Sequence, residues 1–569
     1  MDCTRPADPT GTPIGPAGHR RTQWVVRVVC HVVAEVPFLA VALAQIVQGW
    51  RPTSDDAMIA IRSWAVFTSR PPLVGEVSQV SGCAGQLAFH PGPLLYWMLA
   101  VPVRVDPAHG VLWGAAVWCA VAMAVCVEGA WAVRRAWGAL AVAGAGVVLA
   151  ATQPDVFVRS MWDPYFGVVW FGATCIAAWV VGKGRLRWWP VLVLAASVAA
   201  QTHLEYSVPA ALLAIVAPLP HVRRWLGGAD GRTWLPVGTV VGAACWAAPL
   251  VQQVSGHPGN LSLLMRCVGG QRTMGGRFGL ETLGAAVVPP PLWFHHPPGS
   301  FGVVHVLTAR PAGAGIAILA ALALVSVVTW TTHRRDLAVL AAVALVVAGS
   351  TVWEFAVQPT STVLDLSYLD VLLWPVGMLV WGVAALSVVE VVATWRGASR
   401  RWGLFGAARS PASRQLDHRL LPKRAGAALL WGVTAAVLVG GTVNASFLAG
   451  GAMSQVTQEV GGRGTFRAVS ALATAAERVV PRGPLIISIS AQNAMDSYVL
   501  LYGALWVLIS QGRQATAPGF YANTISPPAY TVPGEPWVAL RVRADGSVAS
   551  AEIVSRSGAG VRHGGTALG

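Results

Sequence analysis

Charge is what this sequence is short of. Of 569 residues only 11% are Asp, Glu, Lys or Arg, and lysine occurs only at Lys183 and Lys423. Soluble domains carry roughly 25% charged residues, so an ordinary water-soluble enzyme is excluded, as is a charge-rich disordered scaffold. Cysteine builds no framework: none of the eight has the spacing of a zinc finger or a redox pair. His295-His296 lacks the helical spacing of zinc ligands, and no repeat at a fixed period is apparent.

Apolar sequence is what is present in excess. Hydrophobic residues make up 54% of the chain and the mean hydropathy is +0.56. Runs of the ~20 residues needed to cross ~30 Å of hydrocarbon recur through most of it, which predicts a polytopic α-helical membrane protein. The net charge of +15 gathers in short loops between the runs, and the stretch 396–424 holds eight basic residues against Asp417 alone. Such loops mark the cytosolic side and lie beside anionic lipid, so no nucleic-acid partner is implied. Arg134-Arg135, Lys183 to Arg187, Arg223-Arg224 and Arg334-Arg335 fall on that side with 396–424.

About eleven transmembrane helices follow, near 24–48, 110–133, 136–153, 165–182, 188–204, 205–220, 233–252, 311–330, 337–355, 368–394 and 425–447. Residues 1–22 read as a disordered cytosolic tail and 23–447 as the transmembrane domain. Two long outer loops, 49–109 and 255–310, precede an extracytoplasmic segment 448–569. There a polar helix (465–480), an apolar run (485–489), a second helix (496–510) and a strand-like run (537–542) predict a small α/β domain with a disordered tail. Among the charges inside the spans, Arg27, His31 and Glu35 recur every four residues on one face of the first and predict a helix–helix pair.

Acids are too scarce to be spent idly, and two stand together in Ser54-Asp55-Asp56-Ala57, directly after the first span. A carboxylate there can take a proton from a hydroxyl or hold a cation. The alternative is helix capping by Ser54 or Asp55, worth ~1 kcal/mol. The loop continues through Pro71-Pro72 and Gly75-Glu76 to His90-Pro91-Gly92-Pro93-Leu94-Leu95-Tyr96-Trp97-Met98-Leu99-Ala100.

An acidic pair, an amphipathic helix and then this Pro-rich aromatic segment resemble the first outer loop of GT-C glycosyltransferases. The nearest branch is that of protein O-mannosyltransferases and the lipid A aminoarabinose transferase, in an actinobacterial form. The resemblance implies that Asp55 is the catalytic carboxylate, with Asp56 beside it, and that 91–104 lies along the membrane. Arg159 and Asp163-Pro164, Gln201-Thr202-His203 and Pro258-Gly259-Asn260 extend the likeness to about residue 260. Two departures stand out: the family's pair is often Asp-Glu, and His90 stands where Lys is common.

The reading implied is an inverting transfer from a polyprenyl-phosphate sugar to an envelope glycan or glycolipid, at the outer face of a bacterial plasma membrane. Candidate donor-phosphate and substrate contacts are His90, Arg159, Asp163, His203, Glu205, Arg266 and Arg272. A divalent cation, magnesium or manganese on Asp55 and Asp163, is an open alternative. So are a flippase of lipid-linked glycans and an inactive scaffold. The topology leaves Cys83 and Cys267 as the only outer-side cysteines, so a disulfide between them is expected to tie the two outer loops.

Overall fold

The computed structural model describes residues 16–78, 81, 86–153, 157, 162–266, 272–294, 307–360, 371–401, most of 432–440, 463–481, 483–490, 494–518, 537–543, 548–554, 556–557 and 560–561. Cys83, Cys267 and Arg159 lie outside them, as do nearly all of 396–424 and most of 425–447.

Among the described residues eight helices are long and apolar enough to cross a membrane. The first, α1 (Pro16–Val47), begins inside the expected tail, because Pro16 suits a first helical position, where its missing N–H costs nothing. After α2 (Ser54–Ala65) and α3 (Leu94–Val105) comes α4 (Gly110–Thr152), 43 residues that double back at Arg135, φ 54° and ψ −139°. A Cβ on Gly138 would stand 2.4 Å from the Ala130 carbonyl oxygen, and one on Gly146 3.1 Å from Met123 Cε. In a straight helix residues eight apart are about 12 Å apart, so α4 is a hairpin of the two expected spans, joined without a loop.

The bundle continues with α5 (Asp163–Gly182), α6 (Trp189–Thr202), α7 (Ser207–Val216), α8 (Ala229–Ser255), α9 (Asn260–Arg266), α10 (Gly276–Val287), α11 (Ala312–Thr331), α12 (Arg335–Val357) and α13 (Leu373–Arg401). One expected span is corrected. At 14 residues α6 reaches about 21 Å, and the chain turns at His203 into a 3-10 segment, Leu204–Tyr206, before α7. A cluster of Gln201, Thr202, His203 and Glu205, all buried, occupies that break.

Charged networks sort the two ends of the bundle. At one, Arg134 pairs with Asp336 at 2.5 Å and Glu390 at 3.0 Å, and Arg334 reaches Glu390 at 3.2 Å. On α1, Arg27 holds Glu128 of α4 in a two-pronged pair, and His31 bridges Glu128 and Glu35 at 2.7 and 2.6 Å. The expected helix–helix pair is thus met by a partner on α4. Because α5 spans 20 residues, about 30 Å, Asp163 stands at the end opposite these basic loops.

The 448–569 segment holds α14 (Arg463–Val479), β1 (Leu485–Ser490), α15 (Ala494–Ser510), β2 (Ala515–Thr516), β3 (Trp537–Arg543) and β4 (Val548–Val554). Its sheet runs β2-β1-β3-β4, with β1 parallel to β2 and β3, and β4 antiparallel to β3. Here α15 seats on α2: Trp506 donates to the Pro107 carbonyl at 3.0 Å and meets Trp64 edge-on at 5.8 Å. Gly503 is required at this contact, since a Cβ would lie 2.7 Å from Val469 and 3.4 Å from Thr53.

The 49–109 and 255–310 segments meet in a small apolar cluster of Ala88, Leu263 and Leu264 and through the side chain of Asn260. Asn260, buried, accepts from the Phe89 N–H at 2.8 Å and donates to the Phe89 carbonyl at 2.9 Å. Asn260→Ala would strand both backbone groups, each at a cost of ~1–3 kcal/mol. Thermal unfolding in detergent is expected to show a markedly lowered Tm; an unchanged Tm would mean that the segments are held elsewhere.

Candidate active site

The helix begins at Ser54, two residues before Asp56, where a Ser54 or Asp55 cap would start it. Thr53 is the N-cap of α2 and makes no side-chain cap bond, so neither Ser54 nor Asp55 caps. Ser54 takes φ 52°, a left-handed conformation uncommon outside glycine. Asp55 is half-buried and turns toward α15: its Oδ1 accepts a short hydrogen bond from the Tyr498 hydroxyl, and Ser54 Oγ approaches Oδ2 at 3.4 Å. Burial raises the Asp55 pKa, while the bonds from Tyr498 and Ser54 oppose the rise. Asp56 is pushed up to about 7 by burial and by the Asp55 charge.

A paired loop brings in the next residues. Gly75 N–H bonds the His90 carbonyl at 2.9 Å and His90 N–H bonds the Glu76 carbonyl at 2.7 Å, so Glu76 and His90 lie side by side. Gly75 is needed there, since its Cβ would stand 2.7 Å from that of His90. The Glu76 carboxyl hydrogen-bonds to Asp163. Burial, then the charges of Asp163 and Asp55, hold the Glu76 pKa well above the carboxylate range, with Arg62 opposing. Burial thus favours the neutral form of Glu76 beside Asp163. Arg62 of α2, 1% exposed, is the guanidinium of this group; it donates to the Val74 carbonyl at 2.8 Å and lies over the Tyr96 ring.

Trp162 is the N-cap of α5, and Asp163 stands in its first turn. The Asp163 Oδ2 is 3.7 Å from His90 Nε2, and the His90 and His203 rings meet at 4.4 Å, tilted by 39°. His203 Nδ1 is 3.9 Å from Glu205, which accepts from Gln358 at 3.3 Å. Of the residues expected from the sequence, the structure thus brings together Asp55, Asp56, His90, Asp163, His203 and Glu205. Arg266 is exposed beside an open groove lined by Gln253, Leu261, Ser262 and Met265, and Arg272 is exposed too. Glu76, Arg62 and Tyr498 join the site without a sequence expectation: Gly75-Glu76 lies in the first outer loop and Arg62 on the amphipathic helix after Asp56, whereas nothing local marks Tyr498.

One group of described residues could share a cation: ligand atoms of His90, Asp163 and His203 lie within 4.8 Å of one another. Asp55 is not in it. The Nδ1 of His90 accepts the Leu204 N–H at 3.0 Å, which leaves the ring proton on Nε2. Burial pushes the His90 pKa down to about 3, so the ring is neutral and its Nε2–H is a donor. The ring can ligate only by giving up one of these features. Asp163 and His203 fit a cation, His90 as oriented does not, and no chemical step is routed through a metal.

Asp56 makes the site's proton uptake testable. Its folded pKa of about 7 exceeds the ordinary value of ~3.9, so between these values the folded chain binds more protons than the unfolded one. Raising the pH through this window therefore costs stability. Asp56→Asn removes the titration: its Tm is expected to exceed the parent's at pH 8 and to converge on it toward pH 4. A Tm difference independent of pH would refute the shift.

No protein-family model matches the chain, and no curated protein matches it. Among solved structures it is similar to ArnT from Cupriavidus metallidurans in the apo state, at 17% identity over 92% of this chain and 93% of that one, with a TM-score of 0.44. The same protein bound to undecaprenyl phosphate matches at 17% identity, 93% and 94% coverage and a TM-score of 0.42. The archaeal oligosaccharyltransferase AglB from Archaeoglobus fulgidus, in complex with an inhibitory peptide and a dolichol-phosphate, matches at 12% identity over 90% of this chain and 65% of that one, with a TM-score of 0.40.

Proposed function

We propose that the chain is an integral-membrane glycosyltransferase of the GT-C kind. It would transfer a sugar from a polyprenyl-phosphate donor to a hydroxyl of an envelope glycan or glycolipid. The observation that carries this reading is the half-buried Asp55 at the end of the bundle away from the basic loops, with hydrogen-bond donors gathered beside it. Under the positive-inside rule that end faces outward, where a lipid-linked sugar is the available donor. The first-loop resemblance, from Asp55 to Ala100, points the same way.

In this mechanism Asp55 accepts the proton of the acceptor hydroxyl as its oxygen attacks the sugar C1 with inversion. The bond from C1 to the phosphate oxygen breaks, and polyprenyl phosphate leaves. The developing phosphate charge needs donors already in place. Arg62 supplies a positive charge, and the neutral His90 supplies Nε2–H. That answers the departure from Lys at this position: His90 acts as a donor rather than a cation. Glu76, whose neutral form burial favours, limits the negative charge beside Asp163 where the phosphate would sit. The domain 448–569 would receive the acceptor, since α15 forms one wall beside Asp55.

Asp55→Asn is the test. Loss of a general base typically costs ~10²–10⁴-fold in rate, whereas the amide oxygen can still accept from Tyr498. Sugar transfer is expected to collapse with the Tm nearly unchanged. Retained transfer would overturn the assignment.

A further inference from the structure

The bond between Tyr498 and Asp55 joins residues 443 positions apart, across the boundary between the membrane bundle and the C-terminal domain. We propose that Tyr498 is the positioning residue of Asp55: its hydroxyl holds Oδ1 so that Oδ2 is presented to the acceptor. This rests on Asp55 being the base.

A carboxylate needs such help. Its terminal torsion is broad and roughly two-fold, so an unheld Asp55 presents its oxygens in a range of directions. A hydrogen bond from a phenol to one oxygen breaks that degeneracy. Oδ2 is met by Ser54 at the longer distance of 3.4 Å, and it is the oxygen left for a substrate proton.

Tyr498 is itself delivered rigidly. Its ring meets Tyr502 edge-on at 4.6 Å. Two turns further along α15, Trp506 is pinned to the Pro107 carbonyl and to Trp64, with Gly503 in close contact between them. The seat lies on α2, the helix that carries Asp55, so hydroxyl and carboxylate are held in one local frame. Such a frame suits positioning, because a misplacement of about 1 Å can cost ~10²-fold. It suits a swinging lid poorly.

Tyr498→Phe removes the hydroxyl and keeps the ring. The full chain in detergent, with farnesyl-phosphoryl-mannose and farnesyl-phosphoryl-arabinose as probe donors, is assayed for release of farnesyl phosphate to water. Release is expected to fall about tenfold in kcat with donor KM within about twofold. Faster release would mean that the hydroxyl blocks Asp55, and unchanged release that it does nothing; either overturns the proposal.

A donor-independent readout is carbodiimide labelling of Asp55 against pH, in an Asp56→Asn background so that the adduct is unambiguous. Asp55 accepts from Tyr498 and Ser54 and interacts electrostatically with Asp56, Glu76, Tyr96 and Asp163, while Arg62 acts on Glu76 and Tyr502 on Tyr498. Loss of a donor to the carboxylate favours its protonated form, so Tyr498→Phe is expected to shift the labelling midpoint to higher pH. An unmoved midpoint in a variant of normal Tm also overturns the proposal. Activity retained by Asp55→Asn would sink the functional reading as well, whereas an inactive Asp55→Asn beside a normal Tyr498→Phe would sink this inference alone.

Discussion

Three carboxyls around one buried guanidinium set the terms for the rest of this end of the molecule. Asp55, Glu76 and Asp163 share a low-dielectric space in which Arg62 is the cation. Like charges so placed cannot all ionise. Burial and the neighbouring negative charges favour the neutral form of Glu76, and burial keeps His90 neutral. Each neutral partner is then held by backbone. The Leu204 N–H fixes the His90 tautomer, and the ladder of Gly75, Glu76 and His90 fixes the loop. Much of the local architecture can be understood as the means by which buried acids are kept at a workable total charge.

The membrane part of the fold was legible because hydrocarbon imposes one rule, a long apolar helix, and the chain obeys it plainly. Even the Arg134-Arg135 tip of the α4 hairpin was visible as a basic break in an apolar run. The break at His203 was harder to read, because apolar length continues on both sides while hydrogen bonding does not. Of the site, Asp55, His90, Asp163 and His203 were legible as polar residues ending spans on one side. Arg62 looked like the polar edge of an amphipathic helix. Its burial depends on Tyr96 and the Val74 carbonyl, which only the folded loop brings near. Tyr498 was illegible for a plainer reason: it sits in an apolar helix whose partner lies hundreds of residues earlier.

How the first and second long segments are joined shows the same contrast. A covalent tie was expected from Cys83 and Cys267, residues outside those described. A non-covalent tie is visible in Asn260, whose amide matches both backbone groups of Phe89 as a neighbouring strand would. The motif Pro258-Gly259-Asn260 had been noticed for its likeness to known transferases. Its physical work is to complete a backbone pairing that the Phe89 strand segment lacks on that edge.

The span of 443 residues between Asp55 and Tyr498 also has a meaning in time. A chain made at about 5–20 residues per second needs roughly 20 to 90 s to pass from one to the other. Throughout that interval the bundle can insert and pack while Asp55 lacks its phenol partner. The centre is therefore finished only when α15 has been synthesised and folded onto α2. A copy terminated before Tyr498 carries the carboxylate without the group that aims it.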